Sequence, residues 1–263
     1  VLGLVDDRRS LGPRIKLLTQ FTVAAILAGP LDIRIFELLE TYGAPGIAAS
    51  IAISCLWMVA ITNAVNMLDN MDGLAAGVSA VIAATYLAAT LIGQQWFVAS
   101  LCALLLGALV GFLAFNYPRA RLYMGDGGSL VVGMLLAVIS IRTTYFNPDT
   151  RIATDTHWYV VLMPLVVMAV PLYDLISVCV VRLRAGRSPF VGDQNHFSHR
   201  LVRRGMSRPA AVALIWLITL ATSLGGVMFT TLAPWQAVLV AVQTAAMIAV
   251  LALLDFGPGE PGH

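Results

Sequence analysis

The feature that most constrains this chain is its succession of long apolar runs. Six stretches, roughly 44–65, 73–93, 97–115, 158–181, 210–231 and 235–254, approach or exceed the ~20 residues a helix needs to cross the hydrocarbon core of a bilayer. In lipid a backbone has no water to bond, so such runs close their own hydrogen bonds as helices. Two shorter runs, 17–31 ending at Gly29-Pro30 and 130–141 stopping at Arg142, count as further spans if tilted or buried. Charged residues make up 11% of the chain, against about 25% in a soluble domain. The expected fold is all-α: one polytopic transmembrane bundle of about eight spans over residues 1–263.

The loop charges support that count. With eight spans, Arg8, Arg9, Arg14, Lys16, Arg119, Arg121 and the seven arginines between 182 and 208 fall on one side. Arg34, Arg142 and Arg151 fall on the other. Dropping one short span would scatter the basic loops over both faces. Basic loops favour the cytoplasm, so the expected location is the inner (plasma) membrane, multi-pass, with the polar loops cytoplasmic. Residues 182–209 form the sizeable hydrophilic insertion, and 255–263 read as a Gly/Pro-rich flexible tail.

Several classes are unsupported. Cys55, Cys102 and Cys179 lie in apolar runs with no disulfide or zinc spacing. No signal peptide is visible, and the opening VLGLVDDRRS suggests that the natural N-terminus lies upstream. There is neither a Walker A lysine loop nor a G-x-G-x-x-G. With a net charge of +2, nothing points to nucleic acid.

Four polar constellations gather on the basic face. Asp6-Asp7 with Lys16 downstream is, taken alone, a solvated loop. Asn63-Ala-Val-Asn66-Met-Leu-Asp69-Asn70-Met-Asp72-Gly73 closes one span and opens the next. Asp69 and Asp72 would share a face of a helical turn, and such polar density at the hydrocarbon edge exceeds what a plain turn needs. Asn116-Tyr-Pro118 leads to Met124-Gly125-Asp126-Gly127-Gly128-Ser129 before an apolar helix, where backbone amides favour an anion; the bland alternative is a flexible turn capped by Ser129. Last, Arg182, Arg184, Arg187, Asp193, His196, His199 and Arg200 follow Asp174. They suit a phosphorylated ligand, or else anionic lipid. Pro164 and Pro171 suggest a kinked or broken helix near Asp174. Carboxylates and amides together suit Mg²⁺, with Mn²⁺ as a substitute, alongside substrate phosphates.

At these residues the chain resembles the polyprenyl-phosphate N-acetylhexosamine-1-phosphate transferases. LGLVDDRRSLGPRIKLLTQ is similar to the family's Asp-Asp segment, NAVNMLDNMDGLAAG to NAxNxxDGxDGLA, and FLAFNYPRARLYMGDGGSLVVG to FLxxNxxPAxxxMGDxGSLxxG. PLYDLISVCVVRLRAGRSPFVGDQNHFSHRLVRRG is similar to the late Asp, Arg and His loop, in the style of the GlcNAc-1-phosphate branch. Asn70 stands where the pattern usually has Gly, Ser198 where many members have His, and Arg119 where Ala is usual. The spans that precede the Asp-Asp segment in the family are expected upstream of residue 1.

The resemblance implies transfer of N-acetylhexosamine-1-phosphate, GlcNAc-1-phosphate above all, from a UDP-sugar to polyprenyl (undecaprenyl) phosphate. UMP leaves, and the product starts a cell-envelope glycan such as cell wall or lipopolysaccharide. It implies Asp6, Asp7, Asp69 and Asp72 as catalytic, and Asp126 with Asp69 as ligands of Mg²⁺. Lys16, Asn66, Asn116, Arg187, Asp193, His196 and His199 would bind substrate, and the chain would form a homodimer. The alternatives are phospho-MurNAc-pentapeptide transfer in peptidoglycan synthesis, an ion-coupled transporter, or a membrane scaffold. A transporter places its acids near the midplane within repeats; these acids lie at one face, and no repeat is visible.

Overall fold

The computed structural model describes residues 2–9, 11–145, 158–188, 196–229 and 232–256. Among them there is no strand. The helices are α1 (Leu2–Asp6), α2 (Pro13–Ala28), α3 (Ala44–Leu68), α4 (Leu74–Ile92), α5 (Trp96–Asn116), α6 (Gly125–Tyr145), α7 (Leu162–Val167), α8 (Ala169–Arg184), α9 (Phe197–Arg203), α10 (Arg208–Ser223) and α11 (Pro234–Phe256). Local chemistry sets several ends. Pro13, Pro45 and Pro209 open α2, α3 and α10 where a missing amide costs nothing. Ser207 caps α10 by accepting from the Ala210 N–H.

Among the described residues six helices are long and apolar enough to cross a membrane: Ala44–Leu68, Leu74–Ile92, Trp96–Asn116, Gly125–Thr143, Arg208–Met228 and Pro234–Leu253. The chain is therefore an all-helical membrane protein. Five of the six match long apolar runs closely, and two expectations change. The run 130–141 is part of a full-length helix, because the glycine-rich segment from Gly125 onward is itself helical. The run 158–181 is interrupted at Met168, between α7 and α8. Pro171 explains the break: it has no N–H for the Val167 carbonyl, and its ring crowds that turn. Helix α2 begins earlier than 17 and has 16 residues, about 24 Å of length.

Helix α4 lies at the centre, packed on α3, α5, α6 and α10. Helix α3 runs against α6, α2 and α8. Gly133 permits its contact with α6, since a Cβ there would lie 2.7 Å from the Thr62 Cα. Trp57 Nε1 donates to Ser140 Oγ across the same interface. Phe97, Leu104 and Leu253 are exposed on the outer surface, as a lipid-facing bundle allows.

Asp255 corrects the tail expected over 255–263. It lies within α11 and is buried, while residues 257–263 fall outside the described segments. Its carboxylate accepts from Arg200 Nε at 2.7 Å, Arg200 Nη2 at 2.5 Å and the Tyr173 hydroxyl at 2.7 Å. An acid at the end of an apolar helix thus joins α11 to α8 and α9.

Candidate active site

One end of the bundle collects the C-terminal ends of α3 and α5, the N-terminal ends of α2, α4 and α6, and the short helices α1 and α9. Their polar groups form connected networks rather than separate loops.

At one side Lys16, on the first turns of α2, lies between two carboxylates. Its Nζ is 2.5 Å from Asp6 Oδ2 and donates to Asp126 Oδ2 at 2.7 Å. Burial pushes the Asp6 carboxyl up, but hydrogen bonds from Lys16 and the Leu11 N–H outweigh it and hold it below the usual carboxylate value. Asp126 Oδ1 accepts from Asn66 Nδ2 at 3.0 Å, and Asn66 also donates to Ser129 Oγ at 2.8 Å.

Asp7 accepts from the Asp126 N–H at 2.9 Å and the Gly127 N–H at 3.1 Å. From just beyond the end of α1 it therefore caps α6 and answers the positive end of its dipole. The bland alternative of a Ser129 cap does not hold: Ser129 sits one turn inside α6 and donates to the Gly125 carbonyl. Gly3 makes the docking of α1 possible, because a Cβ there would lie 2.3 Å from the Asp126 carbonyl oxygen.

The α3–α4 turn carries Asp69 and Asp72. Asp69 ends α3 outside helical geometry, so the two do not share a helical face as expected. Asp72 Oδ2 accepts from the Ala120 N–H, and Asn116 Oδ1 accepts from the Gly73 N–H. The Asn116 Nδ2 donates to the Leu122 carbonyl, so Asn116 fastens this turn to the segment leading to Asp126. Burial, and then the charges of Asp126, Asp7 and Asp72, push the Asp69 carboxyl up to about 6.

Helix α9 brings the histidines. His196 Nδ1 lies 2.9 Å from Asp174 Oδ2, and the Phe197 N–H donates to Asp174 Oδ1 at 2.9 Å. With Nδ1 facing Asp174, Nε2 points away from it. The His199 ring lies 6.5 Å from that of His196. Burial, and then His196, Arg203 and Arg208, hold His199 below its usual value. Ser198, between them, donates to Asn70 Oδ1 at 2.6 Å.

Asp6, Asp7, Lys16, Asn66 and Asp126 are thus joined by hydrogen bonds and ion pairs, and Asp69 lies near enough for the charges of Asp126 and Asp7 to act on it. Asp72 and Asn116 adjoin them, and His196 and His199 reach the same turn through Ser198. Arg187 is exposed just beyond α8, and Asp193 lies outside the described residues. The sequence reading missed the cap made by Asp7, the Ser198–Asn70 bond, and Asp255. Only Asp255 had a readable signal, an acid continuous with an apolar run.

The donors fit a hard divalent cation. Asp69 is raised first by burial and then by the neighbouring carboxylates. Among the described residues no three of His, Cys, Asp or Glu converge closely enough to hold a metal by themselves. Mg²⁺ suits such a place, since it is commonly held by one or two carboxylates, with water and substrate phosphate completing the shell.

The sequence model for glycosyl transferase family 4 matches residues 1–144, a stretch that contains every candidate from Asp6 to Asp126. The chain belongs to this family. Among similar members, the Bacillus subtilis protein named "Probable undecaprenyl-phosphate N-acetylglucosaminyl 1-phosphate transferase" is 29% identical over 239 residues, covering 89% of this chain and 64% of that protein. The decaprenyl-phosphate N-acetylglucosaminephosphotransferase of Mycolicibacterium smegmatis is 33% identical over 278 residues, covering 98% and 68%. The phospho-N-acetylmuramoyl-pentapeptide-transferase of Enterococcus hirae is 32% identical over 168 residues, covering 64% and 48%. The chain therefore spans about half to two thirds of the length of these family 4 relatives.

Proposed function

We propose that this protein transfers GlcNAc-1-phosphate from UDP-GlcNAc to polyprenyl phosphate, releasing UMP and starting a cell-envelope glycan. The observation that carries the reading is the carboxylate group at one end of the bundle, with Asp69 raised to about 6 by burial and by Asp126, Asp7 and Asp72. Such a group repels a diphosphate unless a cation is shared between them. The GlcNAc-1-phosphate relatives cover 89% and 98% of the chain, against 64% for the muramoyl-pentapeptide relative, which favours GlcNAc over the larger muramoyl donor.

In this reading Asp69 and Asp126 would hold Mg²⁺, which would supply neutralisation of the diphosphate charge. Asn66 and Lys16 orient Asp126 by engaging its two oxygens. The acceptor phosphate has its second pKa near 6 and is largely ionised at neutral pH, so Asp6 and Asp7 serve mainly to fix the entry side. Asp7 does so by anchoring α1 to the head of α6. Asp174 turns the His196 ring by its contact with Nδ1, so that Nε2 faces away from it. The diphosphate P–O–P bond breaks and the sugar–phosphate bond stays intact.

The placement we propose has eight spans, the six long helices joined by α2 and by the α7–α8 pair, in the inner membrane. The basic loops support a cytoplasmic site.

The test uses purified protein in detergent with UDP-GlcNAc, undecaprenyl phosphate and Mg²⁺. Nucleotide release that EDTA abolishes, and that Asp126→Ala abolishes while the protein stays folded, is the expected result. Full turnover by Asp126→Ala removes Asp126 from the metal site.

A further inference from the structure

Ser198 and Asn70 are more than 120 residues apart in the chain, yet Ser198 Oγ donates to Asn70 Oδ1 at 2.6 Å. Ser198 lies in the first turn of α9, between His196 and His199, and is 2% exposed. Asn70 lies in the α3–α4 turn, between Asp69 and Asp72. Its Nδ2 donates to the Met67 carbonyl at 2.7 Å, one of the last carbonyls of α3, which have no partner within their own helix. A carbonyl can only accept, so Nδ2 must face Met67 and Oδ1 must face the serine. One amide therefore closes the end of α3 and receives α9.

The other side of α9 is held independently. Asp174 takes the Phe197 amide and the His196 ring, and Asp255 takes Arg200. Those bonds fix α9 to α8 and α11, while the Ser198–Asn70 bond fixes it to the turn that bears the carboxylates. Both residues also stand where the sequence departs from the pattern it resembles, Asn for Gly and Ser for His. A glycine has no amide with which to bridge. An imidazole at a position 2% exposed would have to displace the Asn70 side chain. Each departure suits the other.

We propose that Asn70 and Ser198 act as one positioning pair, setting His196 and His199 of α9 against Asp69 and Asp72 so that the two groups meet the substrate diphosphate in register. The inference rests on the transferase reading above. Neither residue is required to touch substrate; the pair acts through the spacing of groups that do.

The experiment compares wild type, Asn70→Gly, Ser198→His and the double variant, with kcat, KM for UDP-GlcNAc and Tm measured for each. Each single substitution should lower kcat about tenfold or more with KM little changed, and the double should recover to within about threefold of wild type. Ser198→Ala, which introduces no bulk, should also lower kcat, and Ser198→Thr, which keeps the hydroxyl, should restore it; this second comparison carries the test if a larger change prevents folding. Wild-type kcat in the singles, or a double variant whose loss is the product of the single losses, overturns the pair. So does a fall in Tm with kcat per folded molecule unchanged, which marks a purely structural bond. A wild type that releases no nucleotide overturns the transferase reading and this role together, whereas an active wild type with uncoupled variants overturns the pair alone.

Discussion

Lys16 bridges Asp6 and Asp126, its ammonium 2.5 Å from one carboxylate and 2.7 Å from the other. Three elements, α1, α2 and α6, are tied by that single charge. Replacing Lys16 by Met keeps the stem and removes the bridge, leaving two facing carboxylates uncompensated. Turnover should fall by about a hundredfold, and Lys16→Arg should recover part of it. Steady-state nucleotide release from the two variants measures this.

Asp69 gives a pH prediction. Its folded-state pKa, about 6, lies above the ordinary value of 3.8. The folded protein thus binds this proton more tightly than the unfolded chain. The contribution of Asp69 to stability therefore falls as pH rises from about 4 to about 6 and stays unfavourable above that, by at most about 3 kcal/mol. Asp69→Asn should accordingly raise Tm at pH 7.5 in EDTA, and the gain should vanish near pH 4. Mg²⁺ should raise the wild-type Tm and leave that of the variant nearly unmoved. Thermal melts with and without Mg²⁺ at the two pH values read both effects, and a Tm lowered by Asp69→Asn at pH 7.5 would contradict them.

Gly3 separates the docking of α1 from the stability of the bundle. A methyl group there would meet the Asp126 carbonyl at 2.3 Å, so Gly3→Ala should lift α1 and free Asp7 from α6. Activity should drop about tenfold or more, with Tm shifted by only a few degrees, because the buried core lies elsewhere. Enhanced hydrogen exchange at Asp126 and Gly127, whose amides Asp7 receives, would locate the effect.

Asp255 should behave as a structural residue. Asp255→Ala removes the carboxylate that pairs with the buried Arg200 guanidinium, and breaking a buried ion pair costs about 3–5 kcal/mol. Tm should fall markedly in a detergent melt, far more than for exposed residues such as Arg187. A Tm within a degree or so of wild type would mean that the Arg200–Asp255 contact does not form in solution.

Much of this was legible in the sequence because membrane helices announce themselves locally: a run of apolar residues long enough to span must be helical. Five spans appeared close to their observed limits for that reason. The break at Met168 was foreshadowed by Pro164 and Pro171, since proline acts on its own helix. The start of α6 was not, because Gly125, Gly127 and Gly128 are poor helix formers whose helical state is supported by a distant carboxylate, Asp7. The site residues from Asp6 to Asp126 could be picked out by type. Their pairings could not, because Lys16–Asp126, Asn116–Gly73 and Ser198–Asn70 join segments distant in the chain. Asp255 was misplaced because Gly and Pro follow it closely, and they outweighed the apolar run that precedes it.

The central claim is that the diphosphate bond, not the sugar–phosphate bond, is broken. The most direct measurement is the identity of the nucleotide released from UDP-GlcNAc in the presence of undecaprenyl phosphate and Mg²⁺, together with the mass of the lipid product. The account predicts UMP and a carrier heavier by one N-acetylhexosamine phosphate. Release of UDP, with a carrier heavier by the sugar alone, would contradict it.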